Sequence, residues 1–396
     1  MRAPNFIDDY IKGLNTILNS VRMAILNEDE NLFVLLNTKG NERAFQEPFL
    51  FLYYAHNKQN MSLWQIMFGY ISPQHLNRDF HFSVYSDKNG AVYLPKIGCF
   101  KTDFPTTKLD FEYQCTTKSY ALKNQNNYLD TPFTPNLSTK DKQVAFYSFE
   151  HDYFTIAFDH YDISSVEKHR ETTPLSDCNF KTFNHAYNLL KNTNCNYFEM
   201  ILNTLTGVYN FKSDQYTSFA DRMSFGISFL SGTRNDTVVY FLVELAHQAG
   251  HTIFNTILQR PQDYFAIDIQ TPMKQLTHNP NEHRNVFDAF HGLYTTSKVA
   301  ETLDYFLAKP QLFTENENHE IKGRLVDNSY RHKTGFHRID VSTVFTSKGL
   351  LVYQKLNNYL ERVYKKHANI VSKFPYAPDG FVFNYQLFLK QHPLRK

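Results

Sequence analysis

One tryptophan, four cysteines, 14 glycines and 15 prolines are all that 396 residues hold of those four types. Glycine and proline at that level exclude a collagen-like repeat and a Gly/Pro linker protein. Cys99, Cys115, Cys178 and Cys195 form no C-x-x-C pair and no zinc-ribbon spacing, so free thiols in a reducing cytoplasm are expected. Charge of either sign is not in excess: 41 Lys+Arg against 39 Asp+Glu leaves +2. That balance argues against a nucleic-acid partner, which demands many cations to neutralise phosphates. Long apolar runs are missing as well. The longest lie around 50–56 and 238–246, well short of the roughly 20 residues a membrane span needs. Residues 1–21 carry Asp8 and Asp9 and no continuous apolar stretch, so no signal peptide and no membrane contact are expected. The phosphate-binding G-x-x-x-x-G-K-[ST], the dinucleotide G-x-G-x-x-G and the hydrolase G-x-S-x-G are absent.

What the chain has is aromatics and histidine: 36 Phe, 26 Tyr and 17 His, with 42% hydrophobic residues. A large core is therefore available, and global disorder is excluded. The joint abundance of Phe, Tyr, Asn, Lys and Ile fits an AT-rich coding bias, so the aromatics read as core.

The hydropathy pattern predicts an α+β protein, β-containing in the N-terminal half and mainly helical in the C-terminal half. Helical periodicity covers 5–37, and a further helical stretch falls between 47 and 70. Near residue 80 the pattern turns β-prone, with a hairpin expected at Asn89-Gly90 and strands at 109–117, 142–150 and 153–161, separated by a polar loop at 122–142. Helical periods return over 183–205. A strand at 223–230 and a Gly232 turn lead to a helix at 237–260 with Asp236 as the expected N-cap. Two more long helices are expected at 284–308 and 350–374, with a polar irregular stretch at 311–340. This divides the chain into 1–164, a region for substrate recognition, and 165–396, a metal-binding catalytic region.

Helix 237–260 holds His247 and His251, four residues apart, so both rings project from one face and reach one metal ion. The helix is apolar nearly all round, which implies burial, and buried imidazoles cost desolvation unless their nitrogens are satisfied. A strand and turn before the helix match the zincin-type arrangement. His291, in the apolar run Phe290-His291-Gly292-Leu293-Tyr294 of the next long helix, is the expected third ligand; Asp288 is the competing one, giving a two-His-one-carboxylate set. In H-E-x-x-H metallopeptidases the Glu is the general base. Gln248 stands there in this chain and cannot accept a proton, which disfavours ordinary peptide hydrolysis. Gln248, Glu244 and Asp288 are the candidate catalytic residues around the ion. Arg284, Lys298 and Tyr294 are the candidate cosubstrate residues, Arg284 by a planar fork suited to a carboxylate. A metal with open positions beside an arginine suits a 2-oxo acid. His278, His283 and His337 read as solvated loop histidines.

The segments 223–255 and 279–303, with His247, His251, Arg284 and His291-Gly292-Leu293-Tyr294, resemble the HExxH-motif family of putative peptide-modification proteins found with ribosomally made, post-translationally modified peptides. The resemblance covers about 220–305. It implies a non-haem Fe(II) enzyme that uses 2-oxoglutarate to hydroxylate a side-chain carbon of a precursor peptide. Gln248 departs from the family Glu. The alternatives are a zinc-dependent hydrolase with an atypical base such as Glu244, and a non-catalytic metal-binding or scaffold relative.

Overall fold

The computed structural model describes residues 5–55, 60–161, 172–193, 195–214, 216–332, 336, 339–376 and 382–394. His337 lies outside them. The fold is α+β: the strands fall within 80–231, and long helices dominate from 238 onward. No helix among the described residues is long and apolar enough to cross a membrane.

The chain forms two compact units, neither continuous in sequence. One comprises Leu14–Phe180 and Asn203–Arg234; the other comprises Met1–Gly13, Lys181–Leu202 and Asn235–Lys396.

The first unit carries the sheets. Phe80–Tyr85 pairs antiparallel with Lys108–Gln114, which pairs with Ser119–Asn124 and then Asn127–Tyr128. Ala91–Leu94, Gly98–Lys101 and Phe133–Pro135 make a second antiparallel sheet. A third has Gly207–Lys212 between two parallel neighbours, Ile227–Ser231 and Ala145–Phe146. Aromatic rings fill the core: Phe49 is fully buried and contacts Tyr93, Tyr147, Tyr153, Phe154 and the His151 ring.

Several local expectations change here for identifiable reasons. The first helical stretch breaks at Asp29, whose carboxylate accepts the Leu32 N–H (2.8 Å) and starts a second helix, Glu30–Leu36. Asn89-Gly90 is not a hairpin joining its flanking runs. Asp87 accepts the N–H groups of Asn89 and Ala91, and the strand before it pairs with Lys108–Gln114 instead. The polar stretch 122–142 contains a tight hairpin at Gln125-Asn126, both with positive φ (50° and 69°), as a type I′ turn requires. Residues 153–161 are helical, not extended. Tyr153, Phe154, Ala157 and Phe158 are buried at i, i+1, i+4 and i+5, and His151 Nδ1 accepts the Tyr153 N–H (3.0 Å) at the helix start.

The second unit is a helical assembly around Val286–Leu307. That helix packs against Val238–Ile257, Glu315–His332 and Ser347–Lys366. The stretch 311–340, expected to be irregular, contains the 18-residue helix Glu315–His332. Beside the apolar Ile321, Leu325 and Val326, its inward side carries internally paired charges: Arg324 Nε donates to Glu320 Oε1 (2.7 Å) and the half-buried Arg331 Nε to Asp327 Oδ2 (2.7 Å), each pair at i, i+4. The last long helix ends at Lys366 and a short helix, Ala368–Lys373, follows.

Between the His-pair helix and the central helix, the chain doubles back. Phe265 bridges to Phe345, and Met273 N–H donates to the Arg284 carbonyl (2.9 Å). Gly349 lets this crossing close: a Cβ there would lie 1.9 Å from the Tyr264 carbonyl oxygen, which is backbone and cannot yield. Gly349→Ala is expected to cost about 3 kcal/mol by forced displacement of packed backbone. A thermal melt that leaves this variant within a degree of wild type would show that the crossing is loose.

Candidate functional site

The helix Val238–Ile257 begins at Thr237, not Asp236. Thr237 has extended φ/ψ, and its Oγ1 accepts the Tyr240 N–H (3.0 Å) while donating to Glu320 Oε2 (2.7 Å). One hydroxyl thus caps the helix and ties it to the Glu320–Arg324 pair. Thr237→Ala removes both bonds and is expected to lower stability by about 1–2 kcal/mol, readable in denaturant unfolding, with Thr237→Ser retaining most of it.

Along this helix, His247 and His251 present their Nε2 atoms to each other at 3.2 Å, with ring centroids 5.0 Å apart. Two imidazoles sharing one tetrahedral ion at about 2.0–2.1 Å have ligand nitrogens about 3.3 Å apart, so this pair fits as it stands. His291, on the central helix and 4% exposed, lies on the far side of the His251 ring. Its Nδ1 is 3.4 Å from His251 Nδ1, and the two rings are stacked at 8°. Phe254 and Phe287 wall it in, with centroids 5.0 Å and 4.4 Å away.

The structure therefore brings all three expected ligand residues together, in a row with His251 at the centre. They do not converge on one point. Among the described residues no group of three or more His, Cys, Asp or Glu is arranged to hold a metal ion. A neutral imidazole has one donor and one acceptor nitrogen, which is enough for His251 to bond to both neighbours. Burial depresses the basicity of His247, with Arg331 adding to the depression and Glu244 opposing it. His251 is pushed well below the usual range by burial, then by His247 and His291. Both rings are held neutral, the form that ligates metals.

Gln248 is 4% exposed; its Nε2 donates to Glu244 Oε2 (3.4 Å), and its Oε1 is buried with no hydrogen-bond partner. Glu244 lies at electrostatic range of His247 and of Arg324. Asp288 is exposed in the first turn of the central helix, where an acidic group complements the helix dipole. That helix starts at Val286 with Asn285 as N-cap, so Arg284 precedes it instead of riding on it. Its Nε and Nη2 donate to the two oxygens of Glu282 (2.8 and 2.6 Å), and this arginine holds the Glu282 carboxyl below its usual range. Its Nη1 lies over Gly292, 3.1 Å from where a Cβ would be.

Lys298 and Tyr294 belong to a different, buried layer. Lys298 is 1% exposed, donates to Glu301 (2.8 Å) and lies 4.6 Å from the Tyr197 ring centroid. Glu301 also accepts from the Cys195 thiol (3.4 Å), and Tyr197 donates to the Ala246 carbonyl of the His-pair helix. Tyr294 stacks on Phe254 at 4.2 Å. These contacts hold the back of the two helices together.

Sequence reasoning missed Glu282 and Arg331. Glu282 sits two residues before Arg284 in an unremarked loop. Arg331 lay in a stretch expected to be irregular. An Arg/Asp pair at i, i+4 was the available signal for that helix. No family model matches the chain, and no curated protein matches it significantly.

Proposed function

We propose that the protein is a metal-dependent enzyme, an Fe(II)/2-oxoglutarate oxygenase that hydroxylates a side-chain carbon of a ribosomally made precursor peptide. The observation that carries the metal reading is the His247–His251 pair, whose Nε2 atoms are 3.2 Å apart in neutral, half-buried rings. The iron, cosubstrate and peptide rest on the family resemblance of the residues around this pair. His247 and His251 would hold the ion, with His291 beside His251 as the third candidate. When bound, Fe(II) would supply oxidation of a C–H bond by O2, with 2-oxoglutarate as the co-reductant that ends as succinate and CO2.

This chain's own residues have three tasks. Phe254 and Phe287 keep His291 away from water. Arg284, fixed by Glu282, offers the rest of its guanidinium to a carboxylate. Gln248 provides a polar buried group that neither gains nor loses a proton, which suits an oxidation better than a hydrolysis. The test is succinate formation from 2-oxoglutarate under air with added Fe(II) and the precursor peptide encoded beside the gene. Succinate that forms only with iron and oxygen supports the reading; none with any encoded peptide sinks it.

A zinc hydrolase is the second reading, favoured by Glu244, which lies within electrostatic reach of His247 and accepts from Gln248. Its mark is oxygen-independent peptide cleavage abolished by Glu244→Gln.

A further inference from the structure

Behind the histidine pair lies a tyrosine that touches both helices of the site. Tyr197, on the helix Asn196–Thr204, is 1% exposed. Its hydroxyl donates to the carbonyl of Ala246, the residue directly before His247. In an α-helix that carbonyl already accepts the N–H four residues on, at Gly250, so it takes two donors. Gly250 stands between His247 and His251 and makes room for the phenol: a Cβ there would lie 2.8 Å from the Tyr197 oxygen and 3.3 Å from Thr295 Cγ2 on the central helix. Burial above all, with Tyr294, Glu301 and Cys195, holds the phenol well above its usual range, so it stays a donor. The Tyr197 ring meets Lys298, whose ammonium is 4.6 Å from the ring centroid and is fixed by Glu301 at 2.8 Å. Lys298 is on the same helix as His291, about two turns further on. One side chain thus holds the His-pair helix by its backbone and the central helix by a buried cation.

We propose that Tyr197 is a positioning residue for the histidine row: it sets the rotation of the His-pair helix against the central helix, and so the spacing of His251 from His291. Those two rings come from neighbouring helices, stacked at 8° with their Nδ1 atoms 3.4 Å apart, so their spacing follows the packing of the helices. Any turn of the His-pair helix about its axis stretches the bond to Ala246 or drives Gly250 into the phenol. Residues behind metal ligands control affinity in this way, by ~10–100-fold. That the row serves a metal rests on the functional reading above; the placement of the rings by Tyr197 does not.

The experiment compares Tyr197→Phe with wild type by two readouts: the proton–nitrogen correlation spectrum of the histidine rings in intact metal-free protein, and anaerobic titration with Co(II) as a visible probe. Tyr197→Phe is expected to shift the ring signals of His251 and His291, and to weaken Co(II) binding by ~10-fold or more with a changed d–d band. Phe198→Leu loosens the same helix where Phe198 stacks on Phe306 and should leave both readouts as in wild type; a role in stability alone would move the two variants together. If Tyr197→Phe unfolds, Gly250→Ala carries the test, since its methyl group pushes on the phenol and should move the same two rings. Unchanged ring signals in a folded variant overturn the proposal, as does a Co(II) affinity equal to that of wild type, or an equal effect of Phe198→Leu. Shifted ring signals where wild type takes up no Co(II) leave Tyr197 in its role and remove the metal reading.

Discussion

His251→Ala should abolish iron retention. Wild-type protein loaded anaerobically with Fe(II) and desalted is expected to keep close to one iron per chain, and the variant almost none. Removing a direct ligand exceeds the ~10–100-fold cost of disturbing a residue behind one, so a loss of at least ~100-fold in affinity is expected. His251 is the most informative position because it is central: its Nε2 faces His247 and its Nδ1 faces His291. His247→Ala should act nearly as strongly. His291→Ala separates two geometries: if His291 ligates the ion, its loss matches that of His247, and if it only orients His251, the iron is weakened and not lost. His283→Ala, an exposed loop position, should leave iron content unchanged. If His251→Ala retains the metal, the three rings are only a hydrogen-bonded row.

The second large effect concerns pH and lies in the sheet-bearing unit. Glu47 is 3% exposed; burial raises its carboxyl to about 7, against the lowering effects of the Tyr70 hydroxyl, the Phe49 N–H (3.1 Å) and Lys96. His151 is 5% exposed among Phe49, Tyr93 and Tyr153, and burial lowers it to about 4, opposed by Asp87 and Asp152. The two shifts act in opposite directions. For Glu47 the folded state binds a proton more tightly than the unfolded state. Its contribution is therefore full below the unfolded value of 4.5 and is lost as pH rises to about 7. For His151 the unfolded state binds the proton first. Its contribution is full above 6.5 and is lost as pH falls to about 4. Each contribution is worth about 3 kcal/mol.

Difference curves isolate them. Wild-type stability minus that of Glu47→Gln should fall by about 3 kcal/mol between pH 4.5 and 7. Wild type minus His151→Phe should rise by a similar amount from pH 4 to 6.5. Two flat difference curves from urea titrations would mean that water reaches both groups.

The sequence was most legible where one physical signal acted alone. The His-pair helix is apolar nearly all round and capped by a hydroxyl residue; it spans Val238–Ile257 in place of the expected 237–260, and its cap moved from Asp236 to Thr237 because the threonine hydroxyl both caps the helix and bonds Glu320. The three histidines came together because i, i+4 spacing on one helix and an apolar setting on the next leave few other arrangements. Reading failed where two signals competed. Tyr153, Phe154 and Phe158 have high β propensity, yet their burial follows the helical period. The helix Glu315–His332 buries ion pairs where a periodicity search looks for apolar residues, and that hid Arg331 from view. Lys298 shares the central helix with His291, but helix position does not tell that Glu301 and Tyr197 already claim it.

The central claim is that the histidine row holds iron that is open to a 2-oxo acid. Anaerobic titration of the iron-loaded protein with 2-oxoglutarate, followed in the visible spectrum, tests it most directly. A weak charge-transfer band that saturates at one equivalent in wild type and is missing in His251→Ala is the expected result. No band in iron-loaded wild type, or the same band in His251→Ala, would contradict it.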